Sequence, residues 1–450
     1  MTRVRNIPFF VAAWILTASH PLSAAPVSYR QDIVPILKAN CVSCHRPAKL
    51  KGGLDLSSFE SFKKGGKHGS PFQPGAPSKS RVIQAVSGPE PEMPLEGEPL
   101  TRLEIKTLTA WIKQGAKDDS SSDNKPDESS QPPDYAALPA ISSLAFSPDG
   151  TLLAVAGRAE VLLYSGDGTE LRARLSFGAP RIESLCFSKD GAQLAISGGS
   201  PYIFGQIQLW STATRHCLQT IRASTDVFHG ISLSDDATKA AVGGSDKRVY
   251  VFNSLDGKVL SICDNHFDWV LATAFSHDGK HLASGGRDKA VKLVDTSTGR
   301  LIDDLARPRD VVLAMARHPS EDWVAYTGEE GRVRLHKIAP RGGRLKEGDD
   351  REESALREFE SMGTKLHAVA FNATGSILAC GGENGEIRAF NTANGQRTFN
   401  AKLNNSVFAL AFHPDGKTLV AAGIDGRLHF LETVQGKTLK SIDSVPLKKH

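Results

Sequence analysis

The chain is 450 residues long, with 54 Lys and Arg against 50 Asp and Glu and a formal net charge of +4. So even a balance leaves no basic stripe of the kind that holds nucleic acid. Beyond the N-terminal segment no stretch is long and apolar enough to cross a bilayer, which excludes a transmembrane span in the mature chain.

At the start, Arg3 and Arg5 precede an apolar run from Ile7 to Ala18, and small residues follow at Ser23, Ala24 and Ala25. The run is too short for a membrane span and has the layout of a secretory signal peptide over residues 1–24, cut after Ala24 or Ala25. The expected location is the periplasm or an equivalent envelope compartment.

Residues 25–117 are predicted to form a small, mainly helical domain. Ile33, Val34, Ile36 and Leu37 mark a short helix within Ser28 to Asn40, despite Pro35. Directly after it stands Cys41-Val42-Ser43-Cys44-His45, a C-x-x-C-H motif. Two thiols at this spacing can each form a thioether to a haem vinyl group while the adjacent imidazole reaches the iron. A zinc site would need a second ligand pair nearby, and no further Cys occurs before Cys186. The motif therefore predicts one covalent haem c. Of the four Met, only Met93 lies in this region, in a Pro-rich loop, and His/Met ligation suits an electron carrier. His68 is the rival second ligand. Farther on, Thr101 and Glu104 form a capping-box pattern ahead of Leu103, Ile105, Leu108, Trp111 and Ile112 at helical spacing, with Gly115 near the stop. Trp111 is expected in the core.

Val34-Pro35-Ile36-Leu37, the C-x-x-C-H motif, Lys51-Gly52-Gly53-Leu54-Asp55-Leu56, Pro74-Gly75-Ala76-Pro77, Met93-Pro94 and Trp111-Ile112-Lys113-Gln114-Gly115-Ala116 occur in the order found in the planctomycete-type cytochrome c domain. The first quarter of the chain resembles that family. The resemblance implies Cys41 and Cys44 as haem attachment sites, His45 as proximal ligand and Met93 as distal ligand, so that His45 and Met93 hold the metal. Arg46 and Leu95 depart from the family pattern without touching a ligand position.

Residues 118–134 turn abruptly to Ser, Asp and Pro with no apolar residue, a composition expected of a disordered acidic linker. By contrast Lys49, Lys51, Lys63, Lys64, Lys67, Lys79 and Arg81 crowd the loops between the two presumed axial ligands. That asymmetry predicts a docking face for an acidic redox partner, with the linker competing for it.

From residue 135 to 450 the chain repeats. Phe146-Ser147-Pro148-Asp149-Gly150 returns at Phe187, Phe275 and Phe412, with weaker copies at Leu233 to Ala237, Arg317 to Glu321 and Phe371 to Gly375, most of them about 41 to 46 residues apart. That is the period of a four-stranded propeller blade, and seven copies predict seven blades. The region resembles the WD-repeat family. The fold class expected for the whole is thus a small all-α haem domain followed by an all-β seven-bladed propeller.

Trp210 occupies the aromatic position closing a third strand, where Val294, Phe252 and Phe390 stand in elsewhere; Asp246, Asp288 and Asp425 hold a structural turn position, joined by His266 and Ser284 in the fourth blade. Ser200 to Gly205 and Pro340 to Glu353 are excursions from the repeat. Cys186, Cys217, Cys263 and Cys380 are read as buried thiols on separate blades, unable to form disulfides.

Three functions follow. The leading one is an exported electron-transfer cytochrome whose propeller docks an unidentified redox protein. The second is a haem relay for an envelope oxidoreductase with its site in the propeller, for which Glu183, His229 and His367 near the channel mouth are the best hint. The third is a haem-containing structural or sensory scaffold. No catalytic set stands out from the sequence.

Overall fold

The computed structural model describes residues 27–42, 44–46, 49–56, 59–95, 98–118, 135–340 and 354–447. The predicted signal peptide, Ser43, the linker beyond Asp118 and the excursion at 341–353 lie outside these residues. The chain divides into two compact units, residues 1–122 and 123–450.

In the first unit a helical turn, Tyr29–Ile33, runs into α1, Val34–Asn40, followed by α2, Phe59–Lys64, α3, Arg81–Val86, and α4, Arg102–Lys113. Pro35 is tolerated because it sits in the first turn of α1, at the junction with the preceding helical turn. The unit is not purely helical. His45–Arg46 and Lys49–Leu50 form a two-residue antiparallel ladder, which corrects the all-α expectation.

Helix α4 buries Leu108, Trp111 and Ile112, and Trp111 is 1% exposed. Its ring stacks on Phe62 at 6.1 Å and meets Tyr29 at 5.4 Å and Phe72 at 5.1 Å. The predicted core role of Trp111 holds. At the other end Thr101 Oγ1 accepts from the Glu104 N–H at 3.3 Å, while the Glu104 carboxylate accepts from the Thr101 N–H at 2.7 Å. Two of the four orphan donors of the first turn are thereby satisfied.

The second unit is a ring of seven four-stranded antiparallel sheets, each contiguous in sequence. The innermost strands are Leu144–Phe146, Arg181–Phe187, Phe228–Leu233, Val270–Phe275, Val312–Arg317, Leu366–Phe371 and Val407–Phe412. Each touches the next, and the seventh touches the first. Second strands such as His281–Gly286 are buried on both faces because a neighbouring blade covers each. Their closing glycines are required by space: a Cβ at Gly286, Gly328 or Gly423 would lie 1.9, 1.8 or 1.7 Å from the carbonyl oxygen of Trp269, Val311 or Ser406. In the repeated turn, Ser188 and Ser276 each donate to the Asp two residues on at 2.6 Å, and Gly191 and Gly279 supply φ of 72° and 65°.

Among the described residues no strand is shared between the first and last blades. A single parallel bridge joins Tyr135 to Leu447, the Tyr164 hydroxyl donates to the Ser444 carbonyl at 3.0 Å, and one apolar cluster mixes Ile141, Leu144 and Leu162 with Val420, Phe430 and Val445. Beside this seam the Tyr135 hydroxyl donates to buried Glu160 at 2.9 Å, and Arg174 grips the same carboxylate at 2.8 and 2.6 Å. Burial pushes the Tyr135 hydroxyl up to about 12, so it remains a donor at any ordinary pH.

The cysteines depart partly from expectation. Cys263 and Cys380 are buried, whereas Cys186 and Cys217 are half-buried, and these two share the second blade. They lie on its first and fourth strands, about 14 Å apart at ordinary strand spacing, so no disulfide is possible.

Two stability predictions follow from these contacts. Thr101→Ala is expected to destabilise the first unit by about 1 kcal/mol in thermal unfolding. Thr101 holds the Glu104 carboxyl below its usual range, so this contribution is present above the ordinary Glu pKa of about 4.3 and is lost as pH falls through the lowered native value. The gap between wild type and Thr101→Ala should therefore shrink in acid. Tyr135→Phe leaves buried Glu160 short of one donor and should cost the propeller roughly 1–3 kcal/mol in denaturant melts.

Candidate functional site

Helix α1 ends in the motif. The Cys41 N–H bonds the Leu37 carbonyl at 2.8 Å, and the Cys44 and His45 N–H groups then both turn back to the Cys41 carbonyl, at 3.2 and 3.1 Å. The following loop folds over this turn: the Lys51 N–H donates to the Cys44 carbonyl at 3.3 Å and the Leu56 N–H to the His45 carbonyl at 2.9 Å. His45 Nδ1 lies 3.0 Å from the Lys51 carbonyl oxygen. A carbonyl can only accept, so Nδ1 carries a proton, and in the neutral ring Nε2 is the nitrogen left with a lone pair.

Cys41, Cys44, His45, His68 and Met93 all line one cleft of about 330 Å³, within the range of small-molecule and cofactor sites. Its apolar lining comes from Leu54, Leu56, Phe62, Val82, Ala85 and Val86. Met93 is half-buried, packs against the core of the unit, and is held to the end of α3 by its N–H bond to the Ala85 carbonyl at 2.9 Å. His68 is exposed. Close approach of loops sets the shape here, since a Cβ on Gly66 would lie 2.6 Å from the Gly52 carbonyl oxygen.

Both motif cysteines are half-buried. Burial, aided by the Glu104 charge, pushes the Cys41 thiol up to about 11, so it stays protonated at neutral pH. The donor set of two thiols, an imidazole with only Nε2 available and a thioether fits a covalently held haem. Among the described residues no group of three or more His, Cys, Asp and Glu could hold a bare metal ion. Of the predicted basic loop residues, Lys51, Lys67 and Arg81 line the cleft, with Glu92 the one acid among the described lining residues; Lys63, Lys64 and Lys79 are exposed away from it.

The propeller encloses a channel of about 930 Å³ lined by innermost strands. Of the three residues singled out near its mouth, Glu183 and His229 come together at 3.8 Å, and His229 Nε2 also meets Ser245 Oγ at 2.8 Å. His367 instead packs edge-on against Phe408, and burial lowers its pKa. The three do not form one constellation. The turn residue Asp288 binds His266 Nδ1 at 2.9 Å, and His266 Nε2 binds Ser284 Oγ at 2.8 Å, the structural set expected from the repeat.

A charge cluster missed by sequence reading sits just past the other end of the His229 strand. Asp235 takes Lys189 at 2.6 Å, His277 at 2.8 Å and Arg317 at 2.5 Å, linking four consecutive blades. Burial raises the Asp235 pKa, and the hydrogen bonds from Lys189 and His277 together with the Arg317 charge outweigh it and hold the carboxyl well below its usual range. Lys189, Asp235 and His277 all occupy the variable third position of the repeated turn, so reading that column across blades would have exposed the cluster. The Lys51 carbonyl had no such signal, because a backbone acceptor is invisible in side-chain patterns.

Comparison with known families now bears on both units. Residues 41–97 match the family described as Planctomycete cytochrome C. Residues 137–169 and 257–295 match the WD domain, G-beta repeat, and residues 392–447 match the Anaphase-promoting complex subunit 4 WD40 domain. Among curated proteins, Periodic tryptophan protein 2 homolog of Schizosaccharomyces pombe is 33% identical over 79 residues, 17% of this chain and 9% of that protein. Periodic tryptophan protein 2 of Arabidopsis thaliana is 21% identical over 241 residues, 53% of this chain and 26% of that protein. The chain thus spans about a quarter or less of these relatives' lengths.

Proposed function

We propose that this chain, which joins a planctomycete-type cytochrome c domain to a seven-bladed WD-repeat propeller, is an exported electron-transfer protein carrying one covalent haem. The observation that carries the reading is the cleft itself, where both motif thiols, Met93 and a His45 with its Nδ1 already committed meet on one apolar lining. When bound, the haem supplies a one-electron iron couple.

The chain's residues divide the work of holding it. Cys41 and Cys44 would hold the haem through two thioethers, each thiol adding across a vinyl double bond with its hydrogen going to the neighbouring carbon. His45 presents Nε2, and its bond to the Lys51 carbonyl fixes the ring orientation. Met93, packed on the core, would offer its thioether to the iron, which would favour a higher potential than a bis-imidazole site. Leu54, Leu56 and Phe62 keep water from that space. Lys51, Lys67 and Arg81 give the cleft a positive lining suited to an acidic redox partner, and the propeller serves as the protein-docking module. The N-terminal signal pattern supports a periplasmic or equivalent envelope location.

Spectroscopy of the oxidised holoprotein tests the ligand assignment. A weak near-infrared sulfur-to-iron band is expected; Met93→Ala should abolish it and lower the potential, while His68→Ala leaves both unchanged. A band that survives Met93→Ala, or a spectrum altered by His68→Ala, contradicts the assignment.

A further inference from the structure

The outermost strand of each blade is a sheet edge, with backbone groups open to pairing. In six blades this strand carries charge: Arg172 and Arg174 in the first, Arg222 in the second, Asp303 and Asp304 in the fourth, Arg357 and Glu358 in the fifth, Arg397 and Lys402 in the sixth, and Lys440 and Asp443 in the seventh. Charged edges resist edge-to-edge association. The third blade differs. Its outermost strand is Val259–Cys263, with sequence VLSIC and no charge, and Val259, Leu260 and Ile262 are 45%, 42% and 44% exposed. A register shift leaves Leu260 bulged within its own sheet, but similar shifts recur in other blades, so charge and not backbone shape sets this edge apart.

The flanks of this strand identify what it can pair with. Lys258 precedes it and Asp264 follows it, both exposed, giving Lys258-Val259-Leu260-Ser261-Ile262-Cys263-Asp264. This run is self-complementary when laid antiparallel to itself about Ser261. Leu260 of one copy falls opposite Ile262 of the other, and Lys258 falls opposite Asp264, each contact occurring twice. We propose that the third-blade edge is a two-fold interface at which a second copy of this chain pairs antiparallel about Ser261, bringing Leu260 against Ile262 and Lys258 against Asp264.

The geometry meets the demand of a two-fold interface that one patch complement itself. Lys258 now contacts Asp256 at 2.9 Å, an exposed ion pair of small worth, so its release costs little. One strand edge buries less than the roughly 1,200 Å² typical of stable complexes, and the dimer is therefore weak and reversible.

Sedimentation velocity of the full-length holoprotein over a concentration series tests the proposal. The weight-average mass should rise with concentration towards that of a dimer. Ile262→Lys should weaken association at least about tenfold. Lys258→Asp and Asp264→Lys should each weaken it by setting like charges opposite one another, and the double variant should recover most of the loss. Thermal melting checks that each variant is folded; should Ile262→Lys fail to fold, the charge-reversal series decides alone. A wild type that is monomeric at every concentration, association indifferent to Ile262→Lys in a folded variant, or a double reversal no tighter than either single overturns the interface.

Discussion

The bond between His45 Nδ1 and the Lys51 carbonyl, 3.0 Å long, couples the chemistry of the first unit to its shape. It commits Nδ1 as a donor to the backbone, so the tautomer that the proposed ligation through Nε2 needs is favoured by the loop itself. The same bond holds the loop from Lys51 to Leu56 across the motif, and Lys51, Leu54 and Leu56 are part of the cleft lining. Orientation of the ligand and exclusion of water thus have one origin. Behind them the stacked rings of Trp111 and Phe62, with Tyr29 and Phe72, give a small unit a firm core against which Met93 can pack.

The propeller works under a different constraint. Each sheet has two faces to bury and can do so only between neighbours, so the ring must close for any blade to be fully covered. Closure here relies on apolar packing across the seam with a single parallel bridge and the Tyr135–Glu160–Arg174 group beside it. On the channel side, Asp235 links four blades through Lys189, His277 and Arg317. This cluster is half-buried, with Lys189 largely exposed, so the Lys189 pair adds little and the contacts of Asp235 with His277 and Arg317 carry more of the link. The outer edges are left as free surface, mostly guarded by charge.

The sequence made legible those features that repeat or that side chains encode. The F-S-x-D-G turns placed all seven blades, the Thr101–Glu104 pair placed the start of α4, and the C-x-x-C-H motif with Met93 named residues that the fold brings to one cleft. Features that depend on backbone or on cross-blade geometry stayed hidden. Nothing in the letters announces that a carbonyl at Lys51 would meet His45, or that residues of four separate repeats would converge on Asp235. The similar positions of Glu183, His229 and His367 in their strands were read correctly, yet equal register did not bring His367 to the other two, because neighbouring blades meet whereas blades farther around the ring stand apart. The ladder His45–Arg46 with Lys49–Leu50 escaped notice because two residues show no period.

The central claim is that one haem is bound covalently through the motif at the end of α1. Intact-mass and peptide mass spectrometry of the full chain, produced in an envelope compartment competent for c-type haem attachment, tests it most directly. The account predicts a mass gain of a single haem, carried entirely by the peptide containing Cys41 and Cys44 and absent when both are changed to Ala. A chain of unmodified mass, or a haem adduct on any other peptide, would contradict it.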